Sequence, residues 1–175
     1  MMKRLLALSV LSAAVATAGF ASSASAMWTF SPAGPVTLSS PIDPGTGSPI
    51  PLQLFKGIPV SCNISGSGNI ASGLASVTSL SLVPGSFFCF AISFAGLPYD
   101  LEPAGGVSLT SVTLKDVTVT AITGNCRGDL TGDFDQATGI ITFNGATIPS
   151  DPPGGADCVV TGPVATSPAI SYTIP

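Results

Sequence analysis

The chain has 175 residues, with five lysine or arginine, nine aspartate or glutamate and no histidine. The absence of histidine removes the commonest general base and the commonest metal ligand, which argues against most enzyme classes and against a metal or cofactor site. The net charge of −4 offers no basic face for phosphate groups, so nucleic acid is not an expected partner.

Residues 1–26 have the pattern of an export signal. Lys3 and Arg4 form a positive start, residues 5–20 are apolar, and Ala24-Ser25-Ala26 is an A-x-A cleavage site. Small residues follow the apolar stretch instead of a stop-transfer pattern, which suits a removable signal better than a membrane span. In the mature chain the apolar run over residues 87–97 is too short to span a bilayer as a helix, so we expect no transmembrane segment there. Residues 27–175 are then a secreted protein of net charge about −6, located outside the cell, at its surface or in the periplasm.

Residues 27–51 form a proline-rich arm at the start of the predicted mature chain. Proline has no backbone donor and is excluded from central strands, so the arm is expected to be an edge strand, a polyproline-like segment or a linker. Residues 150–156 contain an Asp-Pro-Pro-Gly-Gly run and predict an exposed loop. Neither segment is long enough to separate domains, so we expect one domain over residues 27–175.

Short segments rich in Ser, Thr and Val, separated by Gly and Pro, follow the arm, and helical spacing of apolar residues is absent. This pattern is typical of a sandwich or a barrel, and we predict an all-β fold, a single antiparallel β-sandwich of the Ig-like or jelly-roll-like type. Within residues 107–122 the apolar phase switches twice, which requires breaks at Thr110-Ser111 and Lys115-Asp116. The candidate strands are residues 28–30, 36–39, 51–55, 59–64, 74–83, 88–94, 107–122, 128–134, 139–143, 158–161 and 169–174.

Four cysteines, Cys62, Cys89, Cys126 and Cys158, remain in the mature chain. An even number in an exported protein predicts disulfide bonds, and four cysteines allow three connectivities. A weak similarity between the two halves favours Cys62 with Cys89 and Cys126 with Cys158. In each half a glycine lies six positions after the first cysteine, and an apolar β-type run precedes the second.

Two motifs in and beside the predicted strand 128–134 suggest binding functions. Arg127-Gly128-Asp129 spells an integrin-binding tripeptide, although a match of three residues is common by chance. Asp129, Asp133 and Asp135 carry oxygen atoms that suit calcium, but they lack the order and the closing glutamate of an EF-hand loop. A solvated β-hairpin is the simpler interpretation of this segment.

Four short segments carry a resemblance to a known family. They are Phe30-Ser31-Pro32, the Gly96-Leu97-Pro98-Tyr99 run after Cys89, residues 139–146 (GIITFNGA) and residues 158–162 (CVVTG). Together they resemble the small secreted bacterial proteins called activators of alkane oxidation, over most of residues 27–175. The resemblance implies an exported, non-catalytic protein associated with growth on hydrophobic substrates and with biofilm or cell-surface behaviour.

Two functional hypotheses follow. In the first, the protein acts between the cell and hydrophobic material such as alkanes, through an exposed apolar patch. The candidates for this patch are aromatic, and the alternative is that they fill the core: Phe87, Phe88, Phe90, Phe94 and Tyr99.

In the second hypothesis, the protein is a pilin-like subunit that polymerises with itself into an extracellular fibre. Such subunits donate an N-terminal strand to the sheet of the next subunit. Residues 27–40 are the candidate assembly arm, with Trp28, Phe30, Val36 and Leu38 as the inserted side chains. The alternative is that the first and last strands pair within their own subunit.

Overall fold

The computed structural model describes residues 28–83 and 88–175, so the predicted export signal, Met27 and Phe87 lie outside the described residues. Within these ranges the chain forms thirteen strands and two 3₁₀ turns, with no α-helix, which confirms the all-β prediction. The turns span Cys89–Ala91 and Ala104–Gly106. The strands are β1 (Thr29–Ser31), β2 (Gly34–Ser39), β3 (Leu52–Phe55), β4 (Pro59–Ala71), β5 (Leu74–Val83), β6 (Ser93–Ala95), β7 (Tyr99–Pro103), β8 (Ser111–Ala121), β9 (Gly124–Asp135), β10 (Ile140–Ile148), β11 (Ser150–Asp151), β12 (Cys158–Ser167) and β13 (Ser171–Thr173).

The strands close into an antiparallel barrel, which corrects the expected β-sandwich. Neighbouring strands follow the order β9-β10-β12-β2-β4-β5-β7-β8, and β8 pairs back with β9. The closing pair runs from Ser111 opposite Asp133 to Ala121 opposite Gly124. A sandwich and a barrel show the same alternation of inward and outward side chains along each strand. The sheet is identified as a barrel because β7 pairs with β5 on one side and with β8 on the other, which joins the two edges of the sheet.

Two positions of the barrel are each filled by two short strands in line. β2 and β3 both lie between β12 and β4, with β2 beside the end of β12 and β3 beside its start. β6 and β7 share the position beside β8 in the same way. Residues 40–51 leave the barrel between β2 and β3, where Pro41, Pro44, Pro49 and Pro51 have no backbone N–H to donate to a ladder.

A bulge in β8 lies at Lys115-Asp116, as the apolar phase of the sequence predicts. The register to β9 shifts between Leu114 and Val117, and both of these side chains are buried. Asp116 has a positive φ of 54°. The other predicted break is also confirmed, since β8 begins at Ser111. The bulge lets apolar residues of even and odd phase face the same interior.

Both predicted disulfides are present, Cys62 with Cys89 and Cys126 with Cys158. The first ties the start of β4 to the 3₁₀ turn that precedes β6, and the second ties the start of β9 to the start of β12. The strand registers place these segments at the same end of the barrel. The two bonds therefore hold the backbone around one opening.

The opposite end of the barrel is covered by the first and last strands of the described residues. β1 and β13 pair as a two-stranded ribbon, in which Phe30 lies opposite Tyr172. Phe30 and Tyr172 are both almost fully buried. The Phe30 amide donates to the carbonyl oxygen of Gly73 in the β4–β5 turn, at 2.9 Å, which ties the ribbon to the barrel. One end is therefore closed by apolar packing.

Candidate functional site

The barrel contains an apolar cavity of about 100 Å³ that opens at the disulfide end. We define the mouth as the ring formed by Phe55, Ile58, Phe88, Ala121 and Ile122, which line the cavity at the disulfide end of the barrel and are exposed, except for the half-buried Ala121. The mouth belongs to β3, the β3–β4 turn, the start of the 3₁₀ turn and the β8–β9 turn. An eight-stranded barrel is just wide enough for its side chains or for one small ligand.

The interior behind the mouth is lined mainly by hydrocarbon side chains. Val77, Ile141 and Phe143 form part of its deep wall, Ile148 lines it nearer the disulfide end, and all four are buried. Alternate residues of each strand point inward, so the wall combines contributions from most of the barrel strands. Among the described residues that line the cavity, Lys56 is the one that carries a charge.

The mouth is unusually exposed for apolar side chains. Exposure reaches 47% for Phe55, 41% for Phe88 and 71% for Ile122, and Phe90 on the adjacent 3₁₀ turn is 68% exposed. Continuous exposed apolar surface on a small protein usually marks a binding site. Exposure at Phe88 and Phe90 agrees with the patch hypothesis from the sequence.

The other patch candidates have different roles. Tyr99 is buried, and its hydroxyl donates to the carbonyl oxygens of Ala95 at 2.6 Å and Thr118 at 3.0 Å. Burial raises the pKa of the Tyr99 hydroxyl. Phe94 is partly buried and packs against the core, so these two aromatic residues belong to the barrel wall.

Lys56 lies in the β3–β4 turn with its side chain folded inward, and only 8% of the residue is exposed. Its ammonium donates to the carbonyl oxygens of Ala156 at 2.7 Å and Asn125 at 3.0 Å. Its other contacts are Cys126 Sγ at 3.1 Å and Ser150 Oγ at 3.5 Å. A lysine in a turn is ordinarily solvated, and the burial of Lys56 departs from that expectation.

The candidate assembly arm lies within its own barrel in this structure. Phe30, Val36 and Leu38 are buried among the core residues, and Trp28 is partly buried against them. Val36 and Leu38 face the interior from β2, in the position that a donated strand would occupy. An exchange of this arm between copies stays a prediction.

The three aspartates suggested for calcium face outward along β9, and each has a separate partner. Asp129 binds the Lys115 ammonium, and Asp133 accepts a hydrogen bond from Asn144 Nδ2 at 2.6 Å. Asp135 accepts from the amide of Ala137 in the β9–β10 turn. In the described part of the chain, no three metal-binding side chains are grouped together.

Arg127 and Asp129 are held in ion pairs on a strand, which does not suit receptor recognition by an exposed loop. Arg127 donates to both carboxylate oxygens of Asp116, at 3.0 and 2.8 Å. The hydrogen bond from Arg127 holds the pKa of the Asp116 carboxyl below its usual value. The hydrogen bond from Lys115 does the same for the pKa of Asp129. The four side chains together fasten the bulge of β8 to β9.

Sequence reasoning missed most of the mouth. Phe55, Ile58 and Ile122 were treated as parts of strands or turns and not as site residues. A signal was available, because Ile58 directly follows Gly57 and Ile122 lies two positions before Gly124, each in a tight turn where exposed polar residues are usual. Two tight turns that both expose a large apolar residue indicate a surface that contacts something apolar.

These features define a class of protein: a small disulfide-linked antiparallel barrel, closed at one end and open at the other onto an apolar interior. The chain belongs to the PraA/PraB-like family of alkane oxidation protein activators, whose family model matches residues 1–174. No curated protein and no solved structure matched the chain.

Two further findings bear on location. The disulfides indicate an oxidising environment outside the cytoplasm. In the ranges that the structure describes, no helix has the length and apolar character needed to span a membrane.

Proposed function

We propose that the protein is an exported, non-catalytic surface or extracellular-matrix component that binds hydrophobic substrates such as alkanes through the mouth and the cavity. The observation that carries this proposal is the opening of an apolar interior through a ring of exposed apolar side chains. Membership of a family of alkane oxidation activators supports the same substrate class. Contact between cells and such substrates, or a biofilm that grows on them, is the setting in which it would act.

The physical basis is desolvation of hydrocarbon. Each methylene group that moves from water into an apolar site contributes about 0.8 kcal/mol. Dry apolar cavities in proteins bind small hydrocarbons without any polar contact. Burial of Phe55 and Ile122 under the same ligand would remove further apolar surface from water.

The experiment measures binding of decane vapour or dissolved decane to the purified protein. Ala121, half-buried at the mouth, is replaced by phenylalanine to obstruct the opening. Ala71→Phe, exposed at the end of β4 at the closed end of the barrel, is the matched control. We expect Ala121→Phe to reduce the bound decane at least tenfold and Ala71→Phe to leave it unchanged. Equal binding by all three proteins would show that decane does not enter by the mouth.

A second candidate function is a fibre subunit that assembles by strand exchange. The observation that favours it is the division of one barrel position between β2 and β3. Residues 40–51 separate the two strands, so β1 and β2 can leave the barrel while β3 stays paired. A second copy would then supply the missing strand.

A pair of engineered cysteines tests this exchange. Thr37 on β2 lies opposite Ser167 on β12, and both residues are exposed. In Thr37→Cys/Ser167→Cys, an internal arm gives a cross-linked monomer, whereas an exchanged arm gives covalent multimers on a non-reducing gel. Filaments in negative-stain electron microscopy together with such multimers would support the fibre function, and cross-linked monomers in every fraction would eliminate it.

A further inference from the structure

We infer that the ligand preferred by the mouth is a fatty acid, whose alkyl chain enters the cavity while its carboxylate binds Lys56. This inference rests on the proposed function and deepens it. An alkane has no group that would bind a cation, so a hydrocarbon site alone does not account for a buried ammonium at its edge. A carboxylate-bearing chain accounts for both.

The ammonium of Lys56 has donor capacity left for a ligand. A lysine ammonium has three N–H donors, and two of them bind the carbonyl oxygens of Asn125 and Ala156 at short distances. The third N–H donor has only weak acceptors nearby: Cys126 Sγ, and Ser150 Oγ at 3.5 Å, which is long for a hydrogen bond. A carboxylate oxygen is a far stronger acceptor than either.

The charge of Lys56 is also without a carboxylate partner among the described residues. The other two cations of residues 28–175 are exposed and paired, Lys115 with Asp129 and Arg127 with Asp116. Lys56 is the buried one. Burial of a charge is unfavourable unless an opposite charge or strong hydrogen bonds compensate it. An anionic ligand should therefore bind more favourably at Lys56 than at the two exposed cations, which are already paired.

The position of Lys56 decides the orientation of the ligand. Its ammonium contacts the starts of β9 and β11, which belong to the rim of the open end, while its side chain also borders the cavity. A head group at this site stays close to water, and the chain points inward. Since a cavity of about 150 Å³ holds benzene, the 100 Å³ here holds about four carbon atoms. The rest of a longer chain lies across the mouth against Phe55 and Phe88.

The test compares binding of decanoate, 1-decanol and decane, which share a ten-carbon chain, to the unmodified protein by calorimetry at pH 8. We expect decanoate to bind at least tenfold more tightly than 1-decanol, because a hydrogen bond to a charged group contributes more than a neutral one. Equal affinities for decanoate and 1-decanol would overturn the fatty-acid inference and leave hydrocarbon binding intact. Absence of binding by all three would overturn the proposed function as well.

Lys56→Met keeps the apolar stem and removes the charge, and Lys115→Met is the matched control at an exposed cation. We expect Lys56→Met to weaken decanoate binding at least tenfold and to leave 1-decanol within about twofold, while Lys115→Met changes neither. Decanoate affinity that survives Lys56→Met would overturn the inference. Should Lys56→Met fail to fold by circular dichroism, the comparison of the three ligands on the unmodified protein decides alone.

Discussion

The ring of Phe30, on the first strand, packs against the ring of Tyr172, on the last, with centroids 5.0 Å apart and planes tilted by 51°. Tyr172 also stacks on Phe134 of the barrel at 5.6 Å. The two ends of the described chain are thereby fixed to the same end of the barrel. This closed end is what makes the mouth at the other end the route into the interior.

Tyr172→Phe tests the closed end. Tyr172 donates its hydroxyl to the carbonyl oxygens of Ser108 at 2.6 Å and Ser111 at 3.2 Å. Removal of the hydroxyl leaves these acceptors without that donor, so we expect the free energy of unfolding to fall by about 1–2 kcal/mol. Urea unfolding followed by circular dichroism measures this change in the free energy of unfolding. Ser31→Ala, which removes an exposed Ser31–Ser171 contact, is the control and should have almost no effect. A Tyr172→Phe protein as stable as the parent would contradict the proposed role of the hydroxyl.

The two disulfides should each stabilise the fold substantially. They close loops with sequence separations of 27 and 32 residues, for which the chain-entropy model gives about 3.5 kcal/mol each. We expect Cys62→Ser/Cys89→Ser and Cys126→Ser/Cys158→Ser each to lower the free energy of unfolding by about that amount. Urea titration checks the value, with the parent protein under reducing conditions as the comparison. A loss below about 1 kcal/mol in either variant would mean that its loop is already restricted in the unfolded chain.

Gly132 is expected to tolerate no side chain. It faces the interior from β9, and an added Cβ would lie 2.8 Å from Ile141 Cγ2 and 2.9 Å from Phe143 Cδ1. Gly132→Ala should therefore destabilise the protein by about 1–3 kcal/mol through overpacking. Thermal unfolding measures the loss of stability. Gly45→Ala, in the exposed segment 40–51 between β2 and β3, is the control, because its added Cβ would contact only the flexible end of the Asp43 side chain. Equal melting temperatures for the two variants would show that the interior adjusts freely.

The ion pairs at the β8 bulge predict part of the acid sensitivity. Arg127 and Lys115 hold the pKa values of Asp116 and Asp129 below their unfolded values. Carboxyl groups with lowered pKa values contribute stability that is present above the unfolded pKa, near 4, and is lost as the pH falls through the folded pKa.

We expect Asp116→Asn/Asp129→Asn to reduce the fall in melting temperature between pH 7 and pH 3. The effect should be small, because all four side chains are largely exposed and salt screens the pairs. Asp100→Asn, an exposed carboxylate on β7 outside these two pairs, serves as the control. A fall in melting temperature as steep in the double variant as in the parent would assign the acid sensitivity to other groups.

Local features were predictable from the sequence because short-range patterns determine them. Alternation of apolar residues indicated strands, the phase switch located the Lys115-Asp116 bulge, and the similarity of the two halves indicated both cysteine pairs. The patch was predictable in part, at Phe88 and Phe90. Lys56 was not, because a lysine in a turn is solvated unless distant backbone carbonyls converge on it.

The sequence by itself therefore determined the all-β class, most of the strand pattern and the bulge of this protein, and it favoured the disulfide pairs that are present. Only the tertiary structure decided that the sheet closes, that Lys56 is buried and that Phe55, Phe88 and Ile122 meet around one opening. The physical reason is the range of the interactions. Alternation and turn chemistry act over a few residues, whereas closure depends on pairing between strands whose order along the sheet no local pattern specifies.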